Sequence, residues 1–435
     1  MRTTLRPLTA AALLALPSLA AAQTINFGTY VSLGDSLASG FVSGALVQNH
    51  QATSVPALLA RQAGAADFQQ PLVSAPGIPA ELQLVALAPV PTIVRAAGLG
   101  SPLNLGLARP YNNLAVPGAT LINALQTTSD GGGLHDLILR GRGPQIVQAL
   151  ALRPTLVTVW IGNNDVLGAA VSGRAIDGVT LTPTPIFRVA YQNLIASLKS
   201  TGATVIAANL PDVTTIAFVN TVPPVVVNPA TQQPVVIGGQ TVPLLGPGGP
   251  LPSSSKVTLA ATALLSQGIG IPAALGGRAV IAGGACQNCL PDEVVLDAGE
   301  IAIITAHVDA DNAAINEICA AAGVPVVDIH GYLQRTRAGV DVGGINLSTS
   351  FLTGGLVSYD GVHPTDLGYA LVANEWIRVI NEHGGNLQPV DLQPYLKLKA
   401  GSAAVEATRA TTPAAVFSLE AYESLRQVFG RVDEK

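Results

Sequence analysis

Short apolar runs alternate with helical patterns along the chain, and this alternation limits the possible folds more than any other sequence feature. Five runs rich in β-branched residues each end in turn-forming or polar residues: Phe27–Leu33, Tyr111–Val116, Leu156–Ile161, Thr204–Asn209 and Val324–Ile329. Patterns typical of helices lie between them, at Gln145–Leu152, Ile186–Thr201 and Ala298–Ala322. Buried strands that alternate with helices predict an α/β fold with a parallel, doubly wound sheet. The active site of such a sheet lies beyond the carboxyl ends of its strands.

Two segments lack this rhythm and are predicted to be insertions, at about residues 51–109 and 213–292. The second begins with Val213–Ser255, which is rich in proline and has no charged residue. Either insertion could cover the active-site end of the sheet as a lid, or form a surface loop. Residues 385–435 are predicted to be a linker followed by a C-terminal helix. Its face Val416, Leu419, Tyr422, Leu425, Phe429 and Val432 is expected to dock on the domain of residues 23–384.

The first 22 residues have the pattern of a secretory signal peptide. Arg2 and Arg6 precede the apolar run Leu8–Leu19, and the small residues Ala20–Ala22 follow it. The run is too short for a typical membrane-spanning helix. The sequence therefore predicts a secreted or periplasmic protein with no transmembrane segment after cleavage, the alternative being an uncleaved N-terminal anchor.

The three cysteines are interpreted in the light of this predicted export. Cys286 and Cys289 form a CxxC pair, and Cys319 stands alone. A disulfide is the default in an oxidising compartment, whereas a zinc site needs four ligands that the sequence does not offer nearby. A structural loop clip is favoured, and the pairing stays open because the number of cysteines is odd.

Composition excludes several classes of function. Charged residues make up only 11% of the chain and the net charge is −5, so no basic field is available to attract phosphates. This argues against nucleic acid as a partner. The sequence also lacks the motifs of P-loop, dinucleotide-binding and zinc-protease sites and the Gly-x-Ser-x-Gly elbow of α/β-hydrolases. No cofactor and no metal are expected, and the oligomeric state stays open.

One of the six histidines has a carboxylate at a useful spacing. His363 follows Asp360 in the segment Asp360-Gly361-Val362-His363-Pro364. Glycine and proline keep this segment out of a helix, so a compact loop can bring the carboxylate to the imidazole and fix its tautomer. The alternative is that Asp360 is only a turn residue before the next helix.

Other strand ends supply a nucleophile and hydrogen-bond donors. Ser36 directly follows the first run and Gly34, at the predicted start of a helix, where free backbone N–H groups favour negative charge. Gly118 allows a backbone N–H to approach a ligand closely, and the amide of Asn164 can donate to an oxyanion. Taken singly, each is equally compatible with an ordinary turn.

In combination, these blocks resemble the SGNH (GDSL-type) hydrolase superfamily over roughly residues 24–382. The matching blocks are Gly34-Asp35-Ser36-Leu37, Gly118, Gly162-x-Asn164-Asp165 and Asp360-x-x-His363. The resemblance implies a flavodoxin-like α/β/α sandwich with about five parallel strands. It implies Ser36 as nucleophile, His363 as general base and acid, and Asp360 as its orienting carboxylate. The oxyanion hole would comprise Ser36, Gly118 and Asn164, with Asp35 and Asp165 in supporting roles.

The expected function is that of a bacterial secreted serine esterase or lipase. It would cleave carboxylic esters by a Ser-His-Asp acyl-enzyme mechanism, and the apolar insertions favour an apolar acyl group. Alternatives are a carbohydrate O-acetylesterase or acyltransferase, against which the aromatic content of 4% counts mildly, and a non-catalytic envelope assembly protein. The natural substrate and its chain length stay open.

Overall fold

The computed structural model of the chain describes residues 24–86, 91–278, 286, 288–400 and 416–429. The predicted signal peptide lies outside these described residues. Within them, no helix combines the length and apolarity needed to cross a membrane.

The described elements alternate along the chain. The strands are β1 (Tyr30–Gly34), β2 (Leu82–Ala86), β3 (Thr92–Arg95), β4 (Leu156–Trp160), β5 (Thr204–Ala208), β6 (Val236–Ile237), β7 (Gln240–Thr241), β8 (Leu245–Gly246), β9 (Gly249–Pro250), β10 (Lys256–Val257), β11 (Val295–Leu296), β12 (Val326–Val327), β13 (Val340–Val342), β14 (Ile345–Leu347) and β15 (Val416–Phe417). The α-helices are α1 (Ser36–Ser39), α2 (Gln48–Gln51), α3 (Val55–Gln62), α4 (Leu121–Gln126), α5 (Leu134–Leu139), α6 (Gln145–Ala151), α7 (Asn164–Ser172), α8 (Thr184–Lys199), α9 (Ala217–Asn220), α10 (Ala261–Ser266), α11 (Ala298–Ala322), α12 (Ile329–Arg337), α13 (Asp366–Glu382), α14 (Gln393–Ala400) and α15 (Leu419–Phe429).

A parallel sheet in the order β1-β4-β5-β12 forms the centre of the molecule. Its side chains alternate between two faces, as the pleat of a strand requires. Val157 and Val159 pack in the apolar cluster that contains α6 and α8, whereas Leu156 and Trp160 pack in the cluster that contains α3 and α13. Helices therefore cover both faces of the sheet, which confirms the predicted three-layer α/β class.

The predicted second strand, Tyr111–Val116, lies beside β1 but forms only an isolated parallel bridge between Asn113 and Ser32. The backbone N–H of Ser32 donates to Asn112 and its carbonyl accepts from Leu114, at 2.8 and 2.9 Å. A third hydrogen bond between the two segments comes from a side chain, since the Asn112 amide donates to the Tyr30 carbonyl at 2.8 Å. The prediction of about five strands is thus corrected to four strands and a bridge.

Helix α11 has the bounds that its sequence predicts, because both ends carry strong local signals. Asp297 and Glu300 form a capping box: the Glu300 N–H donates to Asp297 at 2.8 Å, and the Asp297 N–H donates to Glu300 at 3.0 Å. Gly323 ends the helix in the left-handed conformation, at φ 63°, which glycine adopts without strain.

The two predicted insertions differ in character. Helix α3 lies within the first and packs on α13 in the core, so the part of this segment that departs from the α/β pattern begins after Gln62. Its later part forms the antiparallel pair β2–β3. The second insertion contains short antiparallel pairs and a disulfide between Cys286 and Cys289, while Cys319 is free and buried.

The predicted apolar face of the C-terminal helix is only partly correct. Tyr422, Leu425 and Phe429 are buried, as expected. Val416, however, belongs to β15, which pairs in parallel with β3, and Leu419 at the helix start is 50% exposed. Val432 lies outside the described residues.

Candidate active site

The turn after β1 places Ser36 at the first position of α1. Asp35 caps this single helical turn by accepting a hydrogen bond from the Leu37 N–H at 3.1 Å. Gly34 has no room for a side chain, since a Cβ there would lie 2.6 Å from the carbonyl oxygen of Trp160 on the neighbouring strand. With only four residues, α1 has a small dipole, so the local N–H groups matter more for a developing negative charge.

Gln145 holds this turn in place, and sequence reasoning did not identify it. Its side chain donates to the Gly34 carbonyl and accepts from the Gly34 N–H, both at 3.0 Å. Gln145 is the first residue of α6 and is fully buried. A glutamine at the start of an amphipathic helix is common, so the sequence does not indicate that Gln145 binds the backbone of Gly34.

Gly118 and Asn164 meet at the adjacent strand ends. Gly118 has φ +79°, a conformation that strains other residues. Asn164 begins α7, is buried, and donates through Nδ2 to the carbonyl of Ala119 at 2.8 Å. The structure therefore joins the Asn164 amide to the loop that presents Gly118.

The two aspartates predicted as supporting residues bind neighbouring loops. Asp35 accepts from the Asn163 amide at 2.7 Å. Burial raises the pKa of Asp35 to about 7, although the hydrogen bonds from Asn163 and the Leu37 N–H oppose this rise. Asp165 accepts from the Leu121 N–H at 2.8 Å and from the Thr182 hydroxyl at 2.6 Å. Both carboxyl groups thus hold the loops that carry the other site residues.

Asp360 and His363 form a buried pair in the loop before α13. Oδ2 of Asp360 lies 2.9 Å from Nδ1 of His363, and both side chains are fully buried. Since the carboxylate is an acceptor, Nδ1 carries the proton and Nε2 of a neutral imidazole is the free base. Nε2 has no hydrogen-bond partner among the described residues.

Asp360 stays ionised although it is buried. Burial by itself raises the pKa of this carboxyl, but the nearby His363 and the hydrogen bonds from His363 and Val362 outweigh it, so the pKa lies below its usual value. Ser358 and Gly44 add hydrogen bonds to the carboxylate at 3.1 and 2.8 Å. Sequence reasoning did not identify these two residues, although Ser358 lies only two positions before Asp360.

The site is enclosed. Ser36 is 1% exposed and His363 is fully buried, and the ring of Phe429 from α15 lies 5.2 Å from the His363 ring. A small apolar cleft with a cavity volume of about 80 Å³ lies beside the loop that carries His363, lined by residues including Val357, Val362 and Leu371, but Ser36 and His363 do not line it. Within the described residues, no cluster of three or more His, Cys, Asp or Glu side chains could hold a metal ion.

Comparison with known proteins identifies the family to which the chain belongs. The family described as GDSL-like Lipase/Acylhydrolase matches residues 30–376, and no curated protein sequence matches the chain. The solved lipase/acylhydrolase from Enterococcus faecalis is 14% identical, with 83% of this chain and 98% of that chain covered and a TM-score of 0.33. The solved esterase EstA from Pseudoalteromonas sp. is 11% identical, with 82% of this chain and 97% of that chain covered and a TM-score of 0.34. The solved acetylxylan esterase Axe2 from Geobacillus stearothermophilus is 11% identical, with 81% of this chain and 93% of that chain covered and a TM-score of 0.35. The chain belongs to the GDSL-like lipase/acylhydrolase family and is a carboxylic ester hydrolase.

Proposed function

We propose that the protein is a serine esterase that cleaves esters of apolar acyl groups through an acyl-enzyme formed on Ser36. The observation that carries this proposal is the buried Asp360–His363 pair, whose Nε2 has no hydrogen-bond partner among the described residues. A base with a fixed tautomer beside a serine and several N–H donors is the arrangement that acyl transfer needs.

The first half of the reaction acylates the serine. Oγ of Ser36 attacks the ester carbonyl carbon while Nε2 of His363 takes the hydroxyl proton, and the carbonyl π electrons move to oxygen. The oxyanion is stabilised by the N–H groups of Ser36 and Gly118 and by the Asn164 amide. Its collapse breaks the ester C–O bond, and the leaving alkoxide takes the proton from His363.

The second half releases the acid. A water molecule replaces the alcohol, His363 removes its proton, and the same three donors stabilise the second oxyanion. Ser36 then leaves with the proton that His363 returns. Asp360 keeps the imidazole oriented and stabilises its cation in both halves.

Apolar surroundings support an apolar acyl group. The rings of Phe41 and Phe429 lie 5.1 and 5.2 Å from the His363 ring. Burial of an acyl chain is worth about 25 cal/mol per Å² of apolar surface, so longer chains gain more than acetate. An optimum at acetate would favour the alternative of a carbohydrate O-acetylesterase.

We also propose that the protein is secreted or periplasmic. The charged, apolar and small-residue regions of residues 1–22 support export. The Cys286–Cys289 disulfide is compatible with an oxidising compartment. The test is N-terminal sequencing of the mature protein from periplasm and medium, with Gln23 expected as the first residue.

Hydrolysis of a chromogenic ester series from acetyl to palmitoyl tests the function. The purified chain from Gln23 is compared with Ser36→Ala and with Ser200→Ala, a control in which an exposed serine is replaced. We expect Ser36→Ala to abolish turnover and Ser200→Ala to preserve it. A fluorophosphonate is expected to label Ser36, as located by peptide mass spectrometry.

Two results would contradict the proposal. One is turnover that survives in Ser36→Ala. The other is the absence of turnover and of fluorophosphonate labelling in folded protein, both for the full chain and for a chain cleaved within residues 401–415, which detaches the C-terminal segment.

A further inference from the structure

The C-terminal segment Val416–Phe429 lies directly on the candidate active site. Phe429 contacts both aromatic rings there, at 5.2 Å from the His363 ring and 5.7 Å from the Phe41 ring. Phe429 itself is 3% exposed. The last turn of α15 therefore fills the space beside the base that an acyl group would need.

The backbone of the same turn reaches the oxyanion glycine. A Cβ at residue 118 would overlap the carbonyl oxygen of Val428. The last carbonyl groups of a helix lack intrahelical partners and carry partial negative charge. The segment thus presents a carbonyl group at Gly118 and an apolar side chain at His363, which are the two features of an ester with an apolar acyl group.

The rest of α15 covers the remaining parts of the site. Leu425 lies 3.7 Å from a Cβ built on Gly44, whose N–H donates to Asp360. Helix α15 also packs on α7, which begins with Asn164. The segment consequently contacts Phe41 and Gly44 after α1, Gly118, the helix that begins with Asn164, and His363.

The segment is attached outside the central sheet, by a short strand pairing and by a buried apolar face that includes Phe417, Ala421 and Leu425. Strand β15 makes a two-residue pairing with β3, and the Phe417 N–H donates to the Thr262 hydroxyl at 2.9 Å. Glu420, Glu423 and Gln427 on the outer side of α15 are exposed. The segment can therefore leave without breaking the central sheet. The sequence before it, residues 401–415, is rich in small residues.

We infer that Val416–Phe429 is an intramolecular plug that occupies the acyl-binding groove and is displaced by esters with long apolar acyl chains. This inference rests on the proposed function of the site and adds its regulation. The plug keeps the full chain at low turnover toward short, soluble esters. A long acyl chain competes for the groove because it buries apolar surface where Phe429 and Leu425 lie.

Cleavage of the chain between residues 401 and 415 tests the plug. A specific protease site is introduced in this stretch, and turnover of butyryl and palmitoyl esters is measured before and after cleavage, at high dilution. In the uncut chain, the covalent connection keeps the plug at a high effective concentration near the active site. Cleavage removes this connection, so we expect kcat/KM for the butyryl ester to rise at least tenfold. A synthetic peptide of residues 416–435 is expected to restore inhibition in competition with the ester.

Point variants test the same contact in the uncut chain. Phe429→Ala removes the ring at His363 and is expected to raise butyryl ester turnover severalfold. Gln427→Ala changes an exposed residue of the same helix and is expected to leave turnover unchanged. Equal turnover of cut and uncut chains, together with no effect of Phe429→Ala, would overturn the plug.

A binding measurement separates failure of the plug from failure of the proposed function. In the Ser36→Ala background, binding of a fluorescent fatty acid, cis-parinaric acid, is measured before and after cleavage. Tighter binding after cleavage supports the plug even where no ester is turned over, in which case only the proposed function fails. Equal binding, or none in either form, overturns the plug independently of catalysis.

Discussion

Asp360 shows how a single buried charge can be kept ionised. Its carboxylate accepts hydrogen bonds from Gly44, Ser358 and Val362, and from both the backbone and the ring of His363. Such full satisfaction offsets the cost of burying an ion. The residue can therefore fix the imidazole and stabilise its cation without taking up a proton.

Replacement of Asp360 by asparagine tests this orienting role. An amide NH₂ facing Nδ1 favours the opposite tautomer and removes the proton acceptor at Nε2, so we expect kcat for esters to fall by about 10²–10⁴-fold. Circular dichroism and thermal unfolding serve as the check that Asp360→Asn is folded. An unchanged kcat in folded protein would exclude Asp360 as the partner of the base.

Variants of Asn164 and of its neighbour Asn163 can be compared to test whether Asn164 donates to the oxyanion. If Asn164 donates to the oxyanion, Asn164→Ala is expected to lower kcat by about 10²–10³-fold with a smaller change in KM. Asn163 donates to Asp35 at 2.7 Å, so Asn163→Ala is expected to lower thermal stability more than kcat. Steady-state kinetics and unfolding of both variants check this, and equal kcat losses would argue against a specific role for Asn164.

Asp311 is a buried carboxyl outside the candidate site. Burial raises its pKa to about 7, the charge of Asp165 adds to this, and the Thr184 hydroxyl opposes it only partly. The folded state binds a proton on Asp311 more tightly than the unfolded state does. The contribution of Asp311 to the free energy of unfolding therefore falls as pH rises from about 4 to 7.

Asp311→Asn removes this titration. We expect it to raise the free energy of unfolding by about 1–4 kcal/mol at pH 8 and to have little effect at pH 4. Urea unfolding at a series of pH values measures this, with Asp309→Asn on the exposed side of α11 as the control. A stabilisation that does not grow with pH would show that the charge of Asp311 is not its cause.

At the level of elements, local signals decided what the sequence could predict. Apolar spacing and the stop at Gly323 predict helix α11 to the residue, and the structure adds a capping box of Asp297 and Glu300 that marks its start. Tyr111–Val116 was predicted as a strand from composition alone, yet Asn112 contributes a side-chain hydrogen bond there in place of a ladder contact. Helix α3 could not be assigned to the core, since only its packing on α13, far along the chain, places it there.

The candidate site follows the same division. Ser36, Gly118, Asn164, Asp360 and His363 lie in short motifs at strand and loop ends, so their residue types and order predicted them. Gln145 acts through a contact with Gly34, and the plug residue Phe429 contacts Phe41, in each case more than 100 positions away in the sequence. A sequence pattern contains no sign of such pairings, so it predicts the C-terminal helix only as a docking element.

A half-buried ionic cluster connects α2, α13 and the residue before β2. His50 of α2 binds Asp366 of α13 at 2.9 Å and lies 3.6 Å from Glu81, just before β2. Burial by itself lowers the pKa of His50, but the hydrogen bonds and charges of Asp366 and Glu81 outweigh it and raise the pKa to about 9. The cluster thus ties the segment before β2 to the helix that follows His363.

This cluster gives stability a distinct pH dependence. Because the folded pKa of His50 is raised, its contribution is fully present below pH 6.5 and is lost as pH rises through about 9. We expect His50→Gln to lower the free energy of unfolding by about 1–3 kcal/mol at pH 6, with the difference shrinking above pH 9. Denaturant unfolding at pH 6 and 10 tests this, with His383→Gln at the exposed end of α13 as control. A loss independent of pH would assign the effect to packing rather than charge.

Across the whole molecule, segments far apart in sequence meet above the carboxyl ends of the strands. Strand β3 of the first insertion pairs with β15, and Phe218 of the second insertion lies 6.4 Å from Phe417. The Phe218 N–H also donates to the carbonyl of Gly361, between Asp360 and His363, at 2.8 Å. Both insertions therefore contact the C-terminal segment, and the second also contacts the loop of the base.

This arrangement predicts that the molecule opens in two stages. Strands β4 and β5 are buried and paired over most of their length, whereas β15 and α15 are held by a two-residue pairing with β3 and by one buried apolar face. Segments with few cooperative contacts open without global unfolding. We therefore expect amides of residues 416–429 to exchange with deuterium at least tenfold faster than those of 156–160 and 204–208, and faster still in Phe429→Ala. Mass spectrometry of peptic peptides measures both rates. Exchange of α15 at the rate of the central strands would mean that the site opens only when the whole molecule unfolds, and a displaceable plug would then be excluded.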